Sequence, residues 1–267
     1  MKRRDFVKNS IITTGSIALM QGLTSQASAA AAKPKKNILI YTKNGKGYVH
    51  DNIPASIECL KKICADNGWT CEATDDASIF TKEKISKFDV LVFSNTNNET
   101  FDTEEQKKVF QEYIRNGGGF VGIHSACGSE RSWPWFWANL GGKFVRHPPS
   151  QDFTIKIIDQ KHPSTISLGA EWKWKNDECY YLNHLNPDIH VLIAVDLNTI
   201  NDKGKEKYPG EIFGQYFPLA WCHEFDGGRQ WYTALGHAIK HYKDENFVSH
   251  ITGGIKWALT KNKTIKK

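Results

Sequence analysis

The chain has 267 residues, 40% of them hydrophobic and 24% charged, with nine Trp, nine Tyr and fourteen Phe. Those values exclude a disordered or collagen-like chain, and no apolar run beyond the N-terminus approaches the ~20 residues that span a bilayer. The formal net charge of +6 carries no basic stripe with it, so composition argues against a nucleic-acid partner.

In chain order the first segment, residues 1–29, reads as an export signal. Lys2, Arg3, Arg4 and Lys8 against Asp5 give it a net +3, half the charge of the whole chain. Arg3-Arg4-Asp5-Phe6-Val7-Lys8 matches a twin-arginine pattern, a weak apolar stretch follows, and Ala27-Ser28-Ala29 fits a signal-peptidase site. A periplasmic location is expected, with no membrane span in the mature protein. Residues 30–36 form a linker, residues 37–260 a single domain, and residues 261–267 a basic tail.

Asn37–Thr42 is a short apolar run that reads as a buried strand. Pro54 opens a helix whose apolar positions Ile57, Leu60 and Cys64 share a face. Trp69–Thr74 and Phe88–Phe93 are the next strands. Thr103 caps a helix with Glu104 and Glu105 in its first turn. Phe120–Ile123 is the fourth strand. Strands alternating with helices predict a parallel, doubly wound α/β sheet. The second half changes character. Phe153–Ile157 alternates strictly, and Glu171–Lys175, His190–Val195, Leu219–His223 and Trp231–Leu235 are further strands. Gly227-Gly228 is the expected hairpin turn between the last two. Asp244–Leu259 closes the domain as a helix. The six Cys form no CxxC pair and read as buried thiols.

In open α/β sheets, ligands bind outside the carboxyl ends of the strands. Here those ends carry the unusual residues. His50 follows the first strand, Asn95 the third and His124 the fourth. Asp177-Glu178, His223 and His237 follow later ones. Gly122-Ile123-His124-Ser125-Ala126 has small residues on both sides of a sharp turn, with His124 at its apex. A nucleophile elbow carries Ser or Cys at that point. Ser125 and Cys127 come too late, which disfavours a Ser or Cys hydrolase. His at an apex serves as general base or metal ligand. No HxxxH, HxH or CxxC pair lies on one predicted element, so a divalent metal would draw ligands from distant segments such as His50, His124, His223 and His237. The aromatic run Trp133–Trp137 mostly packs a helix on the sheet, with Trp133 the candidate for stacking on a sugar ring. No P-loop is present, and Gly45-Lys46-Gly47 lacks the rest of a dinucleotide loop.

An ordered series of short motifs runs through the domain. It comprises Gly122–Ala126, Leu140–Phe144 with His147-Pro148, His162-Pro163, Asp177-Glu178-Cys179-Tyr180, Pro218–Trp221 and Gly228–His237. Together these motifs resemble the ThuA-like (trehalose-utilisation) family. The resemblance implies a flavodoxin-like fold similar to the class I glutamine amidotransferase domain: a parallel sheet with helices on both faces and added antiparallel strands. Amidotransferases place a Cys nucleophile where His124 stands, so glutaminase activity is not expected. The family implies bacterial sugar catabolism, with trehalose, related disaccharides or 3-keto-sugars as substrates and a sugar oxidoreductase as partner. On that basis His124 is the expected base, with His237 or Glu178 as acid and His50 and Asp177 beside them. His147, Arg229, His223, Trp133 and Asn95 are the expected sugar contacts. A non-catalytic sugar-binding protein and an amidase-like hydrolase using Ser125 or Cys127 are the competing expectations.

Overall fold

The computed structural model describes residues 35–210 and 214–260. The export signal, most of the linker and the basic tail lie outside the described residues. In chain order the elements are β1 (Asn37–Tyr41), α1 (Ile53–Asp66), β2 (Thr70–Thr74), α2 (Lys82–Ile85), β3 (Val90–Ser94), α3 (Glu104–Arg115), β4 (Gly119–Ile123), α4 (Pro134–Leu140) and β5 (Lys143–Arg146). Then follow β6 (Gln151–Ile157), β7 (Glu171–Asp177), β8 (Tyr181–Asn183), β9 (His190–Asp196), β10 (Tyr216–Phe225), β11 (Gly228–Thr233) and α5 (Glu245–Ala258). No helix among the described residues is long and apolar enough to cross a membrane.

One nine-stranded sheet runs β2-β1-β3-β4-β11-β10-β9-β6-β7. Its first five strands are parallel, and β10, β9, β6 and β7 each pair antiparallel with their neighbour. The expected α/β sheet with added antiparallel strands is therefore the observed one. β3 and β4 are buried along their whole length, as parallel strands covered on both faces must be. On one face Phe110 of α3 and Phe136 of α4 pack on Phe93 and Phe120. On the other, α5 crosses close to Trp231 through Gly254. All six cysteines are free, and five of them are buried.

Local chemistry explains the helix starts. Thr103 Oγ1 accepts from the Gln106 backbone N–H at 3.2 Å, and Gln106 Oε1 accepts from the Thr103 N–H at 3.3 Å. This is a reciprocal capping box. The hairpin between β10 and β11 sits one residue earlier than expected. Phe225 pairs with Gly228, so Asp226 and Gly227 form the turn, at φ +48° and +95°. A tight hairpin turn of this kind needs left-handed backbone at both central residues, and Asp tolerates it.

The run around Trp133 is core packing. Trp133 stacks on Trp135 at 5.3 Å and meets the edge of Phe101 at 5.9 Å. It lies on the α3–α4 face and is no sugar platform. The two-stranded β5–β8 sheet was not foreseen, because runs of three or four residues show no period.

Candidate active site

The carboxyl ends of the parallel strands share one rim, and four segments converge there with a fifth from β5. His50 comes from the loop after β1, His124 from the residue after β4, Glu178 from the end of β7 and His237 from the loop after β11. One ligand-type atom from each of these four side chains lies within 4.8 Å of every other. His50, Glu178 and His237 line a cavity of about 340 Å³, with His124 behind them, and its wall also includes His147, Tyr180, Arg131 and Asn97.

β7 lies four places across the sheet from β11, yet their ends meet. β10 carries two register shifts around Ala220, and such bulges increase local twist. Asp177, fully buried, makes the junction. Its Oδ2 accepts from the Gly236 N–H at 2.9 Å and its Oδ1 from the His237 N–H at 3.1 Å. Trp174 Nε1 donates to Oδ2 at 2.5 Å. Asp177 therefore faces the backbone and positions His237; it does not line the cavity.

His124 stands at φ +51°, the left-handed conformation of an elbow apex. Such a residue costs of order 1–3 kcal/mol, and its surroundings hold it. Tyr232 donates its hydroxyl to the His124 carbonyl at 2.9 Å. His124 Nδ1 lies 2.8 Å from the Ala234 carbonyl and must donate to it, which leaves Nε2 with its lone pair. That Nε2 is 3.2 Å from His50 Nε2 and 2.9 Å from the Tyr180 hydroxyl. The ring is wholly buried, behind His50 and Tyr180. The base role expected of His124 does not suit that position, because the ring is closed off from the cavity and its Nε2 faces His50 and Tyr180.

Glu178 is the hub. Its Oε2 lies 3.3 Å from His237 Nδ1 and 3.7 Å from His124 Nε2, and its Oε1 lies 3.4 Å from His147 Nε2. The β5–β8 pairing sets Arg146 opposite Tyr181. The neighbouring residues His147 and Tyr180 then stack at 5.5 Å.

Burial dominates the electrostatics. It holds His124 well below the ordinary imidazole value, reinforced by His50. It pushes His50 down to about 4, reinforced by His237. Both rings are neutral near pH 7. Burial and the Glu178 carboxylate push the Tyr180 hydroxyl well above its usual range. Burial pushes the Cys127 thiol up to about 12, so it supplies no nucleophile. Ser125 Oγ is 3.3 Å from His50 Nδ1. The other nitrogen of His50 faces an imidazole where a triad needs an orienting acid.

Three expected contacts fall elsewhere. β10 runs antiparallel to β11, so its carboxyl end lies at the opposite rim. His223 accordingly reaches the Ala138 carbonyl at 3.2 Å and is neither a sugar contact nor a metal-ligand candidate. Arg229 begins β11 beside Gly119, also at that rim. It pairs with Glu224 at 3.1 Å and lies 3.9 Å over the Trp257 ring. Asn95 is buried and bonds Asn52 at 3.1 Å and the Tyr242 hydroxyl at 2.8 Å. It braces the loops behind the cavity. Asn97 faces the cavity in its place, and Arg131 donates to it at 3.2 Å. Nothing in the sequence distinguishes Arg131 from any other loop cation.

The family model for ThuA, described as trehalose utilisation, matches residues 37–258. The chain belongs to the ThuA family. Its family-level role therefore lies in carbohydrate use. A protein described as ThuA-like from Bacteroides uniformis is 24% identical, with a TM-score of 0.70 over 89% of this chain and 96% of its own. Another so described, from Parabacteroides merdae, is 20% identical, with a TM-score of 0.66 over 85% of this chain and 90% of its own. A Salmonella typhimurium protein described as cytoplasmic is 13% identical, with a TM-score of 0.58 over 83% and 98%. These likenesses establish the ThuA fold. Among curated proteins, none matches the chain.

Proposed function

We propose that this ThuA-family chain is an exported carbohydrate-active enzyme that splits a disaccharide or glycoside bearing a ketone at C3 of the sugar. The observation that carries the reading is the meeting of His50, His124, His237 and His147 around Glu178 at one small cavity. Amides, carboxylates and indoles suffice to bind a sugar. Imidazoles gathered on a carboxylate serve proton transfer as well. The twin-arginine pattern supports export, and a sugar oxidoreductase is the class of partner that would supply the ketone.

A C3 ketone acidifies the proton at C2. His147 is one-third exposed at the cavity wall and faces Glu178 Oε1, which suits it to take that proton. The C2–H electron pair then forms the C1–C2 double bond. The C1–O bond breaks, and its pair leaves on the glycosidic oxygen. The imidazolium of His147 returns a proton to that oxygen. The products are an unsaturated keto-sugar and an alcohol, with no water or oxidant consumed. Arg131, also in the wall, is placed to hold a sugar oxygen.

The test is turnover of 3-keto-glycosides by the parent protein and by His147→Gln. The variant should lose ~100- to 10,000-fold in rate with an unchanged Tm. Equal rates overturn the assignment of His147. Binding of 3-keto-glycosides by the parent without any turnover overturns the enzyme and leaves a sugar-binding protein.

A further inference from the structure

We infer that His50, His124, His237 and Glu178 bind one divalent first-row transition-metal ion at the back of the cavity. The argument starts from the hydrogen-bond pattern around His124. Its Nδ1 is committed to the Ala234 carbonyl, so Nε2 offers a single lone pair. Two groups converge on that lone pair, His50 Nε2 at 3.2 Å and the Tyr180 hydroxyl at 2.9 Å. His237 Nδ1 is shielded from solvent and makes no hydrogen bond, although it lies 3.3 Å from Glu178 Oε2. A cation among these atoms takes the lone pairs of the three imidazole nitrogens and of Glu178 Oε2, and leaves the Tyr180 hydroxyl to the Glu178 carboxylate.

The distances agree. Two nitrogens each ~2.0–2.1 Å from a shared tetrahedral ion are about 3.3 Å apart. The two Nε2 atoms stand at 3.2 Å. All four candidate ligand atoms, three nitrogens and one carboxylate oxygen, lie within 4.8 Å of one another.

The surroundings are those of a metal centre. A metal-bound imidazole uses its second nitrogen to hold a carbonyl, hydroxyl or carboxylate, which fixes the ring. His124 Nδ1 holds the Ala234 carbonyl and His50 Nδ1 meets Ser125 Oγ. Asp177 grips the His237 backbone. Three imidazoles and a carboxylate favour Zn²⁺, Co²⁺, Ni²⁺ or Mn²⁺. Mg²⁺ and Ca²⁺ take oxygen ligands and should bind poorly. Glu178 would then use Oε2 on the ion and Oε1 on His147, and the ion would oppose the negative charge of an enolate. That last role rests on the function proposed above; the presence of the ion does not.

The experiment reads bound metal, not turnover. The purified protein is analysed for metals by mass spectrometry, stripped with chelator, and titrated separately with Zn²⁺, Co²⁺, Ni²⁺, Mn²⁺ and Mg²⁺. Cobalt adds a visible absorption band that reports its ligands. One tightly bound transition ion per chain is expected, with Mg²⁺ excluded. His50→Gln and Glu178→Ala should weaken binding by more than the ~10–100-fold typical of outer-sphere changes. His190→Gln, at an exposed imidazole far along the sheet, should bind like the parent. Should either ligand variant fail to fold by circular dichroism, His237→Gln, at a partly exposed site, decides. Failure of the parent to bind any transition ion overturns the inference, and so does binding that survives in the folded ligand variants. A metal-loaded protein inactive on keto-glycosides would sink the proposed function and leave this inference standing.

Discussion

Asp177 shows how far one buried carboxylate reaches. It accepts from Trp174 Nε1 and from the N–H groups of Glu178, Gly236 and His237, and so ties the sheet's edge strand to the loop that carries His237. Asp177→Ala leaves those four donors without an acceptor. Each unmet buried donor costs about 1–3 kcal/mol, and local relaxation recovers part of the sum. We expect a net loss of about 3 kcal/mol in urea unfolding. A loss below about 0.5 kcal/mol, the scale of an inert surface change, would show that water replaces the carboxylate. His124 makes a related point. Its type and its place in the turn were legible from Gly122–Ala126. Its orientation was not, because that depends on the Ala234 carbonyl, more than a hundred residues away.

Among the elements, the β10–β11 hairpin carries the clearest conformational demand. Gly227 sits at φ +95°, and a Cβ there would lie 2.7 Å from the Arg115 carbonyl oxygen. Gly227→Ala should therefore cost at least the ~1–2 kcal/mol of a left-handed L-residue, and a matching fall in Tm checks it. An unchanged Tm would mean that the turn re-forms in another register. α1, α3 and α5 were readable because each signals its own start: Pro54 at the first turn of α1, Thr103 with Glu104 and Glu105 at α3, and Asp244 at α5. β5 and β8 carry no such signal. Their pairing is long-range, and it brings His147 beside Tyr180 and Glu178.

For the whole molecule, buried neutral imidazoles make stability depend on pH. Burial pushes His250 and His223 down to about 4, whereas an exposed histidine titrates near 6.5. Between those values the unfolded chain binds more protons than the folded one. Stability is then complete above pH 6.5 and falls as pH drops toward 4. Each group contributes up to about 1.4 kcal/mol per pH unit. Tm measured from pH 7.5 to pH 4.5 should decline steadily, and His223→Gln should flatten part of that slope. A flat profile in the parent would mean that water reaches both rings.

Residue chemistry alone determined the alternation of strands and helices, the elbow at His124 and the gathering of His and carboxylates at strand ends. Those features are local: apolar period, capping residues and small residues at a turn need only near neighbours. Strand direction is not local. Whether a strand's carboxyl end joins the cavity rim depends on how that strand pairs, and an apolar run reads the same in either direction. For that reason His223 and Arg229 seemed equivalent to His237 in the sequence, while the antiparallel β10 and the start of β11 put them at the other rim. Tertiary structure alone decided which imidazoles meet. It joined His50, His124 and His237 to Glu178 by folding the end of β7 back onto β11, and it brought in His147 through a four-residue strand.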